Sequence, residues 1–294
     1  MSSLATVLAL SSAATFALST SVQHHAAEGA PESARGPAGL VRYLFRRPSW
    51  LFGQLLAVFG FSLHASALHF GPIALVQPIV ISGIVIAVPA RAARSRRLPS
   101  RDEVQAVSVM ALGLALFLVA SNPSAGTSAD LGTRPVLIVA TCTALAVLAG
   151  WAAHASGTPV RSAFLLGVAA GMLFGLVAGL LKLVLQELAD GGVVRLLTVW
   201  PTWALVIAGL GGVVTNQVAY RRARLSASMP VLNIVDVLVA LGFGYIVFGE
   251  VPRHSPLLVA VELAALGCVA AGLVLAGRLS DEQQVHPAPV GQPD

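Results

Sequence analysis

The sequence is short of charge and almost without lysine. Charged residues make up 11% of its 294 positions, against about 25% in soluble domains. That is too little to cover a water-facing surface. Lysine occurs once, at Lys182. Cysteine occurs twice, at Cys142 and Cys268, each inside an apolar run; neither a disulfide framework nor a metal spacing can be built from them. No HExxH motif occurs, and Gly171–Gly175 follows no strand, so it is no phosphate loop. No catalytic constellation emerges, which predicts that the chain is not an enzyme and needs no cofactor. The lack of a soluble domain to bind ATP argues against a primary pump.

What is present is apolar sequence. Hydrophobic residues make up 56% of the chain, and the mean hydropathy is +0.82. A hydrocarbon core of about 30 Å is crossed by roughly 20 apolar residues in a helix. Backbone polar groups in lipid must be satisfied internally, so each such run is expected to be helical. The weaker alternation of a membrane barrel is absent. The spacing predicts an all-α membrane protein with nine spans: 4–27, 50–69, 73–90, 104–120, 135–155, 162–188, 197–220, 226–248 and 257–276. Together they form one transmembrane domain over residues 1–279. The polar, Pro-containing tail 280–294 is predicted to be disordered.

Arginine placement orients this chain. Fourteen arginines fall on one set of alternate connections, among them Arg42, Arg46, Arg47, Arg94, Arg97 and Arg222, and only Arg134, Arg195 and Arg253 fall on the other. The positive-inside rule then puts the N-terminus outside and the C-terminus in the cytoplasm. The first run has no basic residue before it and several after it, so it reads as a retained helix rather than a signal peptide. The net charge of +5 is carried by these connections, which argues against a nucleic-acid partner and for a lipid bilayer, here the plasma membrane. Trp200 and Trp203 suit an interfacial aromatic belt.

Residues 67–78 and 219–230 resemble each other. Each ends an apolar run, turns, and opens the next run at a proline, Pro78 or Pro230. A fainter likeness joins 18–26, with Gln23, to 181–189, with Gln186. The predicted helices therefore group as two four-helix repeats, 4–120 and 162–277, joined by a connector at 135–155. One connector helix inverts the second repeat, and inverted repeats place a substrate site near the bilayer midplane between the halves.

The segment Ala67–Pro78, preceded by Trp50 and Gly53, resembles a recurring stretch of the drug/metabolite transporter superfamily. It is most similar to the branch of NIPA-type magnesium transporters, although Gln77 and Ile79 stand where that branch has Thr and Leu. Gly171-Met-Leu-Phe-Gly175, Lys182, Pro230 and Phe248-Gly-Glu250 resemble the EamA-type repeat. The resemblance implies a nine- or ten-helix transporter fold with inverted repeats. Its implied activity is secondary transport of a small solute by alternating access, or of magnesium or another divalent cation in the NIPA-like branch.

Ionisable groups within a membrane are costly, and they mark function or a buried pair. Lys182 and Glu262 lie at similar depths from the outer ends of their helices, which suits either an ion pair or a snorkelling lysine that leaves Glu262 protonated. Asp236, mid-helix, shares a face with Asn233 at i, i+3 spacing; the pair reads as a midplane substrate or ion contact, or as a packing pair. His64 stands opposite Asn216 in the repeat alignment and is either a path residue or an interhelical hydrogen-bond donor. Gln77 and Asn216 either line a polar path or bridge helices. Adjacent His24 and His25 point to different faces, which favours a solvated helix end over a metal site. Gly167, Gly171, Gly175 and Gly179 recur every fourth residue, forming a ridge for close packing within the bundle or for a homodimer. A membrane scaffold or complex subunit is the reading from another class, and it expects Asp236 and Glu262 to tolerate neutralisation. Single cysteines placed in the 91–101 and 221–224 connections should label from the same face of the membrane; labelling from opposite faces would remove the inverted arrangement.

Overall fold

The computed structural model describes residues 2–28, 43, 45–81, 83, 100–120, 126–222, 225–250 and 256–285. These form nine α-helices and no strand. They are α1 (Ser2–Glu28), α2 (Pro48–Phe70), α3 (Ile73–Ile81), α4 (Arg101–Ala120), α5 (Thr133–His154), α6 (Pro159–Leu196), α7 (Trp200–Arg222), α8 (Leu225–Phe248) and α9 (Pro256–Val285). Each coincides with an apolar run of the sequence. The expected continuation of the third helix beyond Ile81 lies largely outside the described residues. Two boundaries differ. The sixth helix runs past Leu188 to Leu196, across a break at Gly192, whose φ of 69° is a left-handed conformation open to glycine. The ninth helix continues through Val285, so part of the tail predicted to be disordered is helical; Ser-Asp-Glu-Gln-Gln can extend a helix, and Pro287 cannot.

Five described helices are long and apolar enough to cross a membrane: Ser3–Gln23, Pro48–Phe70, Thr133–His154, Pro159–Leu196 and Pro230–Phe248. Their burial pattern is the reverse of a soluble helix. On α2 the buried residues are Gly53, Gly60, His64, Ala67 and Leu68. The exposed ones include Leu55 at 68% and Val58 at 65%. On α5, Val147, Leu148 and Trp151 are likewise exposed. Water would drive these large apolar groups inward. Small residues inside and large apolar residues outside suit hydrocarbon, where helix association depends on close backbone approach. The chain is a membrane-embedded α-helical protein.

The chain packs as two compact units, Met1–Gly71 with Leu75–Ser100, and Pro72–Ala74 with Arg101–Asp294. In the first unit, α1 and α2 run antiparallel. Ala5, Ala9, Ala13 and Ala17, spaced four apart, are all buried. The Ser12 hydroxyl donates to the Gly60 carbonyl at 2.8 Å, and the Ser19 hydroxyl donates to the Gly53 carbonyl at 2.8 Å. Gln23 Nε2 donates to Ser19 Oγ at 2.9 Å. Hydroxyl–carbonyl bonds of this kind are satisfied without water.

In the second unit, the glycine ridge of α6 faces α8. A Cβ at Gly167 would lie 2.7 Å from the Ser228 carbonyl, at Gly171 2.9 Å from Val235 Cβ, and at Gly175 2.6 Å from Val239 Cβ; Gly179 faces the Phe243 ring. The order of these neighbours makes α6 and α8 parallel. The packing expected of the ridge within the bundle is therefore what it does. Leu173 and Phe174 of α6 meet Gly211 and Gly212 of α7, while Val177 meets Gly209, so that pair is antiparallel. Gly113 on α4 faces Ala265, Cys268 and Val269 on α9, and Gly272 faces Ala106 and Met110, again antiparallel. This seam joins a helix of the first expected repeat to one of the second. Gly175→Leu should cost about 1–3 kcal/mol or more by overpacking, whereas Gly150→Ala, with open space at its Cβ, should gain about 0.5–1 kcal/mol from helix propensity. Thermal unfolding of the detergent-solubilised protein checks both.

Candidate functional site

The chain turns sharply where α8 ends. Gly249 has φ 63°, the left-handed glycine conformation that commonly stops a helix. The turn closes with Glu250 N–H donating to the Gly244 carbonyl at 3.1 Å. This folds the Glu250 side chain inward, where its carboxyl group is fully enclosed. Gly244 leaves room for it, since a Cβ there would lie 2.6 Å from Glu250 Oε2. A Cβ at Gly126 would lie 3.0 Å from Glu250 Cγ.

Three donors meet this carboxylate. Lys182 Nζ, from α6, lies 2.5 Å from Oε1. The Ile73 N–H donates to Oε1 at 3.0 Å and the Ala74 N–H donates to Oε2 at 3.2 Å. Pro72 carries no N–H, so these are the first two donors of α3, and a helix start leaves such groups without an intrahelical acceptor. Glu250 caps them from 177 and 176 positions away. The partial positive charge of a helix N-terminus also favours an anion there. Lys182 Nζ sits 4.8 Å from the centre of the Phe248 ring, within cation–π range. The Phe248 carbonyl accepts from the Thr127 N–H at 2.8 Å. One turn thus gathers Pro72–Ala74, Lys182, Gly126–Thr127 and Phe248–Glu250 at one end of the second unit.

Lys182, an expected site residue, is therefore paired, and the carboxylate beside it is Glu250. Depth counted along the sequence follows Cα positions, and so points to Glu262 rather than to Glu250. A lysine stem spans more than one helical turn and carries its charge toward the helix end. Glu250 was legible as the last residue of Phe-Gly-Glu, but it follows a helix-stopping glycine and so read as lying outside the span. Asp236 is buried on α8, with Asn233 half-buried one turn earlier. Glu262 is half-buried on α9, and Asn216 is half-buried on α7. His64 and Gln77 are buried and belong to the first unit. The Nδ1 of His64 has no hydrogen-bond partner. Another ion pair among the described residues, not expected from the sequence, joins Arg195 Nε to Glu187 Oε2 across the Gly192 break. Among the described residues, no three His, Cys, Asp or Glu side chains gather as a metal site.

An uncharacterized protein of Corynebacterium glutamicum is 28% identical to this chain over 250 residues, covering 84% of this chain and 85% of that protein. No family model and no solved structure matches the chain. The similarity runs along most of the length of both proteins.

Breaking a buried pair strands the remaining charge and costs about 3–5 kcal/mol. Glu250→Ala leaves an ammonium and two N–H groups without their acceptor; Lys182→Met leaves a carboxylate that keeps two donors. Glu250→Ala should therefore destabilise the purified protein more than Lys182→Met does, as read from thermal unfolding midpoints in detergent.

Proposed function

We propose that the chain is a secondary carrier of the drug/metabolite transporter type that moves a small solute across the plasma membrane by alternating access. The observation that carries the reading is the buried Lys182–Glu250 pair, seated on the start of a helix in a predominantly apolar bundle. Transporters use half-helix starts of this kind to hold charge where the chain is interrupted, and here the interruption is Gly71–Pro72 between α2 and α3. A static scaffold gains little from such a pair, because well-packed apolar residues of similar volume hold helices together at least as well. The nine-span, N-out arrangement completes the proposal: it puts the Pro72, Gly126 and Glu250 turns on the arginine-poor, external side.

Asp236 and Asn233, near the middle of α8, form the deeper part of the path, and Lys182 and Glu250 its outer part. The driving force is a solute or ion gradient. The decisive experiment is a proteoliposome flux panel covering organic metabolites, magnesium and other divalent cations, with wild type beside Asp236→Asn. The expected result is flux of at least one solute that falls about tenfold or more in the variant, as for functional intramembrane carboxylates, at equal reconstituted protein. No flux of any solute would favour a scaffold or complex subunit.

A further inference from the structure

We propose that Glu250 is the latch of a gate at this end of the second unit, closed as described above and opened when its carboxylate leaves the Ile73 and Ala74 N–H groups. The purpose of the latch rests on the carrier reading; its geometry does not. Glu250 is enclosed on every side. Its slot is shaped to a glutamate, with missing Cβ atoms at Gly244 and Gly126 where its carboxyl group and Cγ fit. The two helix-start N–H groups cannot be abandoned in a dry interior. When the carboxylate departs, water is the acceptor at hand, so latch release and water entry are a single event. The same turn holds the neighbouring parts shut. The Phe248 ring carries the Lys182 ammonium, and its carbonyl holds Thr127.

Behind the latch lies an ordered series. The Phe243 ring, fully buried on Gly179, is 6.0 Å from the Phe248 ring. Asp236 is buried two helical turns below Phe243 and on the same face, since positions seven apart align along a helix. Asp236 and the Phe243 plug thus share one stripe of α8, and the latch follows in the turn beyond the helix end. An ion pair alone would need only opposite charges. A latch that also caps a helix needs an acceptor at position 250, and this separates the two ideas.

The test uses full-length protein in detergent, with Cys142 and Cys268 replaced by alanine and one buried reporter cysteine, at Val247 beside the latch or at Ala163 near the other end of α6. The probe is a water-soluble maleimide. Glu250→Gln should raise the labelling rate at 247 about tenfold or more, as expected when a buried pair loses a charge, and leave the rate at 163 unchanged. The exchanged double variant Lys182→Glu/Glu250→Lys restores opposite charges but places at 250 a group that cannot accept an N–H, so 247 should still label fast. Three results overturn the latch: an unchanged rate at 247, an equal rise at 163, or slow labelling restored by the exchange. Labelling needs no transported solute, so a latch that behaves as stated in a protein without flux would count against the carrier alone.

Discussion

A helix that starts inside a dry protein has donors and no acceptors, and the arrangement of the second unit follows from how that deficit is met at Ile73 and Ala74. A carboxylate supplies two acceptor oxygens at once. It also brings a charge that must itself be balanced, and Lys182 balances it. That ammonium in turn needs shelter, which the Phe248 ring and the carboxylate provide together. Each member answers a polar demand created by another, and each is held by a different stretch of chain: the start of α3, the second half of α6 and the turn after α8.

The rest of the fold obeys the same scarcity of water by other means. Hydrocarbon gives helices no reason to hide leucine, so they meet through glycine, alanine and serine and present their bulk to lipid. The Ser12 and Ser19 hydroxyls donate to carbonyls across the α1–α2 seam, spending no charge. The α6 glycines let α8 approach so closely that a single methyl group would strike its backbone or a β-branched side chain. These seams set helix direction as well as distance: α6 and α8 parallel, α6 and α7 antiparallel, α4 and α9 antiparallel.

Most of this architecture was open to inspection in the primary structure. Apolar run length located every described helix, because a bilayer sets a minimum and few other environments reward such runs. The Gly167–Gly179 spacing announced a ridge. The site was legible in part. Lys182 drew attention through rarity and depth, and Asp236 through its place mid-span. Its partner at 250 did not, since one-dimensional depth says nothing about a chain that turns back on itself, and Gly249 does just that. The capped donors at 73 and 74 are backbone atoms, invisible to any search over side-chain types. The Glu187–Arg195 pair was hidden for a related reason: residues eight apart on a straight helix sit more than two turns from each other, and only the Gly192 break folds them together.

The rarity of lysine has a chemical corollary. A chain with one lysine carries one side-chain primary amine, and here that amine is buried against a carboxylate. An acylating reagent must reach the ε-nitrogen, which stays shielded for as long as it remains enclosed with its partner. Amine acylation at position 182, read by mass spectrometry on the unaltered protein, therefore acts as a built-in clock for how often that pair comes apart.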